Sequence, residues 1–295
     1  MSALPQLNRV HQADARAFCA ALPEACLDLV MTSPPYWGLR DYGSQGQIGL
    51  EEMAAYVERL AEVFREACRA LKPTGSFYLN LGDTYLQKRL AGIPWRVALR
   101  LMDDGWILRN HLIWHKPNGA PHSAKDRFSS KHEDLFFFVK QERYHFDLNA
   151  VREPYKASTI KRIKRILEAG TAFDPARHKN DAAGSRRHQS PYQIMINTAR
   201  RYEKTGILGK NPGSVWSVPT SGFRGAHFAT YPEALCKKPI LASCPPGGLV
   251  LDPFAGSGTT GLAALRLGRS FLGCDLNPAY VEMANNRLAE IHLES

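Results

Sequence analysis

No apolar run in this chain approaches the roughly 18 residues that cross a bilayer. The opening MSALPQLNRVHQADARAF has neither the basic segment nor the apolar stretch of a signal peptide. No membrane partner is expected, and a cytoplasmic protein is. The six cysteines (Cys19, Cys26, Cys68, Cys236, Cys244, Cys274) are scattered, without a C-x-x-C pair or ligand-like spacing to a histidine. They read as reduced, structural thiols rather than as a disulfide framework or a zinc site. His111 and His115 form H-x-x-x-H, but NHLIWH reads as a strand, where residues four apart stand about 13 Å from each other. No metal is expected. Internal repeats and low-complexity tracts are also missing.

What is present suits one large domain, or a domain with an insertion: 295 residues, 44% of them hydrophobic and 22% charged. The net charge of +10 is unevenly placed, because residues 151–210 hold 14 Lys or Arg against 5 Asp or Glu. Such concentration fits a surface that meets phosphates, where each neutralised charge releases condensed counterions. Within this segment Lys161, Arg162, Lys164 and Arg165 fall on one side of a short predicted helix, with Ile160, Ile163, Ile166 and Leu167 beneath. These four cations are the expected phosphate contacts.

Before the basic segment the pattern alternates strand and helix. EEMAAYVERLAEVFREACRAL places Tyr56, Leu60, Phe64, Ala67 and Leu71 at helical spacing, with a stop expected at KPTG, and GSFYLNLGD reads as the next strand. PWRVALRLMDDG reads as a helix with Pro94 at its start and Gly105 past its end. WILRNHLIWHKP and LFFFVKQ read as strands, and LFFFVKQERYHFD leaves room for an antiparallel hairpin. After the segment come the strand GGLVLDPF, the helix TTGLAALRLG, the strand SFLGCDLN and the helix PAYVEMANNRLAEIHL. The alternation predicts an α/β fold with a mostly parallel sheet. Asp83, in NLGDTY, is expected either beside a functional site or as a helix cap.

LVLDPFAGSGTTG sets a buried strand before a glycine-rich turn that opens a helix. Gly256, Gly258 and Gly261 satisfy G-x-G-x-x-G, and Asp275 ends the following strand. Glycines let a ligand approach the backbone, and an acid at the second strand tip can accept both hydroxyls of a ribose. A nucleoside cofactor follows. Too little chain lies beyond Gly261 to complete a dinucleotide fold, so the N-terminal half must complete the sheet. Asp252, before Pro253 and Phe254, favours a cationic ligand group over a pyrophosphate. S-Adenosyl-L-methionine carries an ammonium and a sulfonium.

TSPPYW and LDPFAGSGTT, in that order and with a basic segment between them, resemble the amino-methylating DNA methyltransferases of the circularly permuted class called beta. HFATYPEAL and FLGCDLNPAY match further motifs of that family. The resemblance implies a seven-stranded, Rossmann-like, circularly permuted sheet that binds S-adenosylmethionine, with an inserted target recognition region. The parts are then 1–150, the catalytic half; 151–210, the recognition insertion; and 211–295, the cofactor half. In this layout the C-terminal half supplies the first two strands and NRVHQADA the third. Asp14 would border the adenine of the cofactor, although Ala13 stands where the family has Gly. His227 would border the methionine end, and Asp252, Phe254, Gly256, Ser257, Gly258 and Asp275 complete the cofactor set. WHKPNGAP and SKHEDLFFFV resemble segments near the DNA-facing mouth and make Asn118 and His132 minor candidates. Double-stranded DNA is the implied partner, and a cognate restriction endonuclease and a second copy of the chain are further candidates.

The SPPY edge gives this chemistry a physical basis. Pro34 and Pro35 fix their own φ angles, hold the preceding residues extended and remove two backbone donors. The Ser33 hydroxyl and the Pro34 carbonyl can then accept the two hydrogens of an exocyclic amine. Tyr36 is expected to be exposed and to offer a stacking face, worth roughly 1–3 kcal/mol per base. A base in a duplex must first be flipped out. Ser33, Pro34, Pro35 and Tyr36 are thus the candidate catalytic residues. Methylation of a ring carbon would need a Pro-Cys nucleophile, and none of the six cysteines follows a proline. Serine before the prolines resembles the cytosine-N4 enzymes, so N4-methylcytosine is the expected product and N6-methyladenine the alternative. An NAD-dependent oxidoreductase and a non-catalytic DNA-binding module are more distant readings.

Overall fold

The computed structural model describes residues 3–39, 43, 46–119, 124–168, 191–206, 209–220 and 231–294. They form two compact units, Met1–Asp147 with Gly213–Ser295, and Leu148–Pro212. Among the described residues no helix is long and apolar enough to cross a membrane.

The first unit begins with β1 (Arg9–Gln12), α1 (Ala15–Ala21), β2 (Leu27–Thr32), α2 (Met53–Ala70) and β3 (Leu71–Leu81). A ribbon of β4 (Tyr85–Leu86) and β5 (Arg89–Leu90) follows, then α3 (Ile93–Asp103), β6 (Ile107–His115) and β7 (His132–Val139). The second unit carries α4 (Ala157–Glu168) and α5 (Pro191–Thr205). The chain returns to the first unit as β8 (Val215–Ser217), α6 (Glu233–Ser243), β9 (Leu249–Asp252), α7 (Thr259–Arg266), β10 (Ser270–Asp275) and α8 (Pro278–Glu294).

The main sheet runs β1-β10-β9-β2-β3-β7-β6-β8. β9, β10 and β1 stand side by side, as the permuted layout requires, and β2 pairs with both β3 and β9. The late strands thus sit inside the sheet, against the early ones. Among the described residues this sheet has eight strands rather than seven, because β8 adds in parallel to the outer side of β6.

Strand alternation builds two cores. Phe77 and Leu79 of β3, Phe136 and Phe138 of β7, and Leu249 and Leu251 of β9 pack with Tyr56, Leu60 and Phe64 of α2. Tyr78, Phe137 and Val250 point the other way, with Leu235 of α6, Leu262 of α7 and Leu288 of α8. At the β1 edge, Asn285 of α8 accepts from the Val10 N–H at 2.8 Å and donates to the Val10 carbonyl at 2.9 Å. All six cysteines are free, and burial pushes the Cys19 and Cys244 thiols up to about 12. Desolvation disfavours the thiolate, which suits packing rather than nucleophilic work.

Two local expectations change. Helix α2 stops at Ala70 and the strand starts at once, so KPTG lies inside β3 instead of separating two elements. The β2–β3 register shifts between Leu27 and Leu29. Pro73 cannot donate to a ladder, and a bulge tolerates that. The hairpin at LFFFVKQERYHFD does not form. Instead β7 enters the sheet antiparallel to both β3 and β6, and Tyr144 and Phe146 fold back onto Phe137, each with ring centroids 5.8 Å away.

In the second unit, Ile163 of α4 and Ile196 and Ala199 of α5 are buried. Lys161, Arg162, Lys164 and Arg165 are exposed on α4, and Ile160 is half-buried. The side chains of Ile166 and Leu167 lie outside the described residues.

Candidate active site

Three strand tips converge because β9 lies between β10 and β2. Strand β9 ends at Asp252, and the turn that follows delivers the chain to α7. Gly256 (φ +50°) and Gly258 (φ +78°) both take the left-handed backbone that glycine adopts without strain. A Cβ on Gly258 would stand 3.0 Å from the Ala284 Cβ, so close packing against α8 also requires glycine there. The Asp275 carboxylate at the tip of β10 accepts from the Gly256 N–H and the Asn277 N–H, each at 2.9 Å. Burial raises its pKa, and these backbone donors only partly offset the effect.

Asp252 is more deeply enclosed. It accepts from the Thr32 hydroxyl at 2.6 Å, the Thr260 hydroxyl at 2.5 Å, the Tyr231 hydroxyl at 3.0 Å and the Phe254 N–H at 3.1 Å. Desolvation nevertheless raises its pKa above 3.8. The bond from Thr32 ties the strand that leads into Ser33 to the strand that leads into the glycine turn. The two parts of the motif pair, far apart in sequence, therefore share one wall.

A cavity of about 140 Å³ runs across these tips. Of the expected cofactor residues, Asp14, Asp252, Phe254, Gly256, Ser257 and Asp275 line it. Gly258 does not; it serves the helix start and the Ala284 contact. His227 lies outside the described residues. Asp14 also caps α1, accepting from the Ala17 N–H at 2.9 Å. Ser33 and Pro35 line the same cavity, and Pro34 and Tyr36 are not among its lining residues.

Tyr36 departs from expectation. It is half-buried rather than exposed, and a Cβ on Gly82 would fall 2.6 Å from its ring. Its hydroxyl donates to Glu133 Oε2 at 2.6 Å and accepts from Ser33 Oγ at 3.2 Å and from Asn80 Nδ2 at 2.7 Å. Asn80 also donates to Glu133 Oε2 at 2.8 Å, and the Lys116 ammonium pairs with Glu133 Oε1. Tyr56 donates to the Pro35 carbonyl at 2.8 Å. Among the described residues nothing donates to the Pro34 carbonyl, which stays available as an acceptor.

Sequence reasoning overlooked Thr32, Tyr231 and Thr260 around Asp252, and Asn80, Lys116 and Glu133 behind Ser33. The one signal for the second group was Glu133 in the polar head of HEDLFFFV, just before its apolar run. The remaining candidates have structural partners. Asp83 accepts from the Gly92 and Ile93 N–H groups at the start of α3, at 3.0 and 3.1 Å. His111 bonds Asp134 at 2.6 Å and His115 bonds Ser217 at 2.9 Å. Asn118 donates to the Thr220 carbonyl and accepts from its N–H, closing a loop. His132 pairs with His115 across β6 and β7.

Chemically, the cavity suits a ligand with a vicinal diol and a cationic group. Each Asp275 oxygen keeps a lone pair beyond its one backbone bond. Asp252 has no cationic partner among the described residues. A permuted sheet with such a cavity across its carboxyl-terminal strand ends is the architecture of a methyltransferase. Comparison with known proteins narrows the class. The model of the N6/N4 family, described as DNA methylase, matches residues 27–286. The type II methyltransferase M.Cfr9I of Citrobacter freundii is 37% identical over 94% of this chain and 86% of its own length. The PvuII DNA methyltransferase, named as cytosine-N4-specific, shares the fold at 21% identity, with TM-score 0.66 over 97% of this chain and 91% of its own. TTHA0409 of Thermus thermophilus, in complex with S-adenosyl-L-methionine, aligns at 26% identity and TM-score 0.60 over 96% and 93% of the two chains. The chain belongs to this family: it is a DNA methyltransferase of the N6/N4 amino-directed kind.

Proposed function

We propose that the protein transfers a methyl group from S-adenosylmethionine to the N4 amino group of a cytosine turned out of double-stranded DNA. The observation that carries this reading is the Ser33 hydroxyl on the wall of the same cavity as Asp252 and Asp275. When bound, S-adenosylmethionine supplies an electrophilic methyl group on a positively charged sulfur. Asp275 would hold the ribose hydroxyls, Asp14 would border the adenine, and Asp252 would balance cationic charge. Ser33 Oγ donates to Tyr36 and accepts from Asn80 Nδ2 at 3.4 Å, which leaves it a lone pair to accept from an amine. The Pro34 carbonyl takes the second amine hydrogen. Both hydrogens held, the nitrogen lone pair is turned out of conjugation and toward the cavity, where proximity supplies much of the acceleration.

Cytosine is favoured by the serine before the two prolines, and the cytosine-N4-specific PvuII enzyme shares the fold. Relatives named type II methyltransferases also support a place beside a cognate restriction endonuclease. The decisive measurement digests DNA from a host expressing the protein to nucleosides and weighs them. N4-Methylcytosine is the expected product, and methyladenosine alone would reject the base assignment. Sequencing the modified DNA then gives the target site.

Asp275→Ala should weaken S-adenosylmethionine binding by about 10–100-fold in calorimetry, since hydrogen bonds to a charged group contribute about 1.5–3 kcal/mol. An unchanged affinity would remove Asp275 from the ribose. The second unit is assigned to target recognition, with the exposed cations of α4 on phosphates. Reversing Lys161, Arg162, Lys164 and Arg165 to glutamate should weaken DNA binding and flatten the slope of log K against log salt, by up to about 0.9 for each phosphate no longer neutralised. If the slope stays as in wild type, the phosphates are met elsewhere.

A further inference from the structure

We propose that Glu133 is the terminal acceptor of the proton that the target amine gives up, reached through Ser33 and Tyr36. The inference rests on the amino-methylation reading above and adds a residue and a route to it. Methylating an amine creates a proton problem. The nitrogen pair forms the bond to the methyl carbon, the pair of the broken C–S bond stays on sulfur, and the nitrogen is left with one hydrogen too many. In a site that excludes water, that proton needs a built path.

Behind Ser33 a chain of donated hydrogen bonds leads to Glu133, and Asn80 Nδ2 also reaches Ser33 Oγ at 3.4 Å. Ser33 Oγ donates to Tyr36 Oη at 3.2 Å, and Tyr36 Oη donates to Glu133 Oε2 at 2.6 Å. Asn80 holds both acceptors at once, donating to Tyr36 Oη at 2.7 Å and to Glu133 Oε2 at 2.8 Å. As Ser33 Oγ takes the amine proton, its own proton passes to Tyr36 and that of Tyr36 passes to Glu133. Serine and tyrosine end neutral and Glu133 ends as a carboxylic acid. Burial, and then the neighbouring carboxylate, hold the Tyr36 phenol well above its ordinary range. Tyr36 therefore conducts by exchange and does not ionise.

Lys116 completes the arrangement. Its ammonium pairs with Glu133 Oε1 and lies 4.4 Å from the centroid of the Trp114 ring. Its positive charge stands against the carboxylate that receives the proton. The side chains of Lys116 and Glu133 are 21% and 14% exposed, enough for the acid to return its proton to solvent. The titratable and charged groups that face Glu133 are Lys116, just after β6, and Tyr36, after β2. His132 and Asp134 flank it in β7, Asp134 being held by His111.

Glu133→Gln separates proton acceptance from positioning, because glutamine still accepts from Tyr36 but takes up no proton. Single-turnover transfer from labelled S-adenosylmethionine is followed on a duplex carrying the site found by sequencing, from pH 5.5 to 9. The rate constant of Glu133→Gln should fall about 100-fold. Affinities for S-adenosylmethionine by calorimetry and for the duplex by anisotropy should stay within about twofold, and Glu133→Asp should recover part of the rate. Tyr36→Phe cuts the same route one step earlier and should lose a similar factor, so it decides the matter if Glu133→Gln does not fold. Rates within about threefold of wild type overturn the relay, as does a Glu133→Asp variant that recovers none of the lost rate. A wild-type protein that binds DNA and cofactor without transferring a methyl group to either base overturns the parent reading and the relay together.

Discussion

Ser33→Ala is expected to lower kcat by about 10²–10³-fold while S-adenosylmethionine binding stays within about twofold of wild type. The magnitude is that of removing one preorganised group from a closed site. Ser33 is on the cavity wall, and in the proposed mechanism it accepts one of two amine hydrogens, so its loss would free the amine to rotate back into conjugation with its ring. The cofactor contacts lie at the β9 and β10 tips, where Asp275 and the Gly256 turn hold each other without help from Ser33. Tyr36→Ala should be at least as damaging, since it also removes the group that orients the Ser33 hydroxyl and leaves Glu133 and Asn80 without a shared partner. Turnover close to wild type in Ser33→Ala would refute the catalytic assignment of the SPPY edge.

Asp252→Ala is expected to destabilise the fold by about 3–5 kcal/mol, which for a chain of this size lowers Tm by roughly 6–15 °C. The carboxylate is buried and takes hydrogen bonds from β2, α7, the start of α6 and its own turn. Alanine leaves the Thr32 hydroxyl and the Phe254 amide without this acceptor and the Tyr231 and Thr260 hydroxyls with only each other. Asp252→Asn keeps the shape and should cost much less. The two differ from wild type in pH dependence as well. Burial raises the Asp252 pKa, so the folded chain holds the proton more tightly than the unfolded one. The stability linked to this group is fully present below about 3.8 and is lost as pH rises through the higher folded value. The advantage of wild type over Asp252→Asn should therefore shrink between about pH 4 and neutrality. Equal stability of wild type and Asp252→Ala in thermal scans would mean that the four bonds contribute nothing.

The parts of the molecule that could be read from sequence are those where local chemistry and packing agree. Helical spacing in α2, the Pro94 start of α3 and the strand, turn and helix around Gly256 and Gly258 are such places. The KPTG segment misled because proline and glycine usually separate elements, while here β3 carries them as an irregularity opposite Leu27–Leu29 of β2. The missed hairpin has a similar origin: LFFFV finds its antiparallel partners in β3 and β6, which no local pattern announces. At the site, the serine, the diproline and the two acids at the strand tips were legible because their spacing is fixed along the chain. Tyr36 was misplaced because its burial depends on Gly82, and the sequence does not say that the two meet. Glu133, Asn80 and Lys116 were overlooked for the same reason, since each comes from a different strand and gains its meaning only when β3, β7 and β6 lie side by side.

The Asn285 contact has a consequence for how this protein behaves when crowded. A parallel sheet normally ends in a row of unsatisfied backbone groups that can template another chain. At Val10 both outward-facing groups are already occupied by the amide of Asn285, and at the opposite margin β8 is only three residues long. Neither border offers a ladder to a neighbour, so concentrated protein is protected against edge-to-edge growth while its strand tips stay clear for DNA.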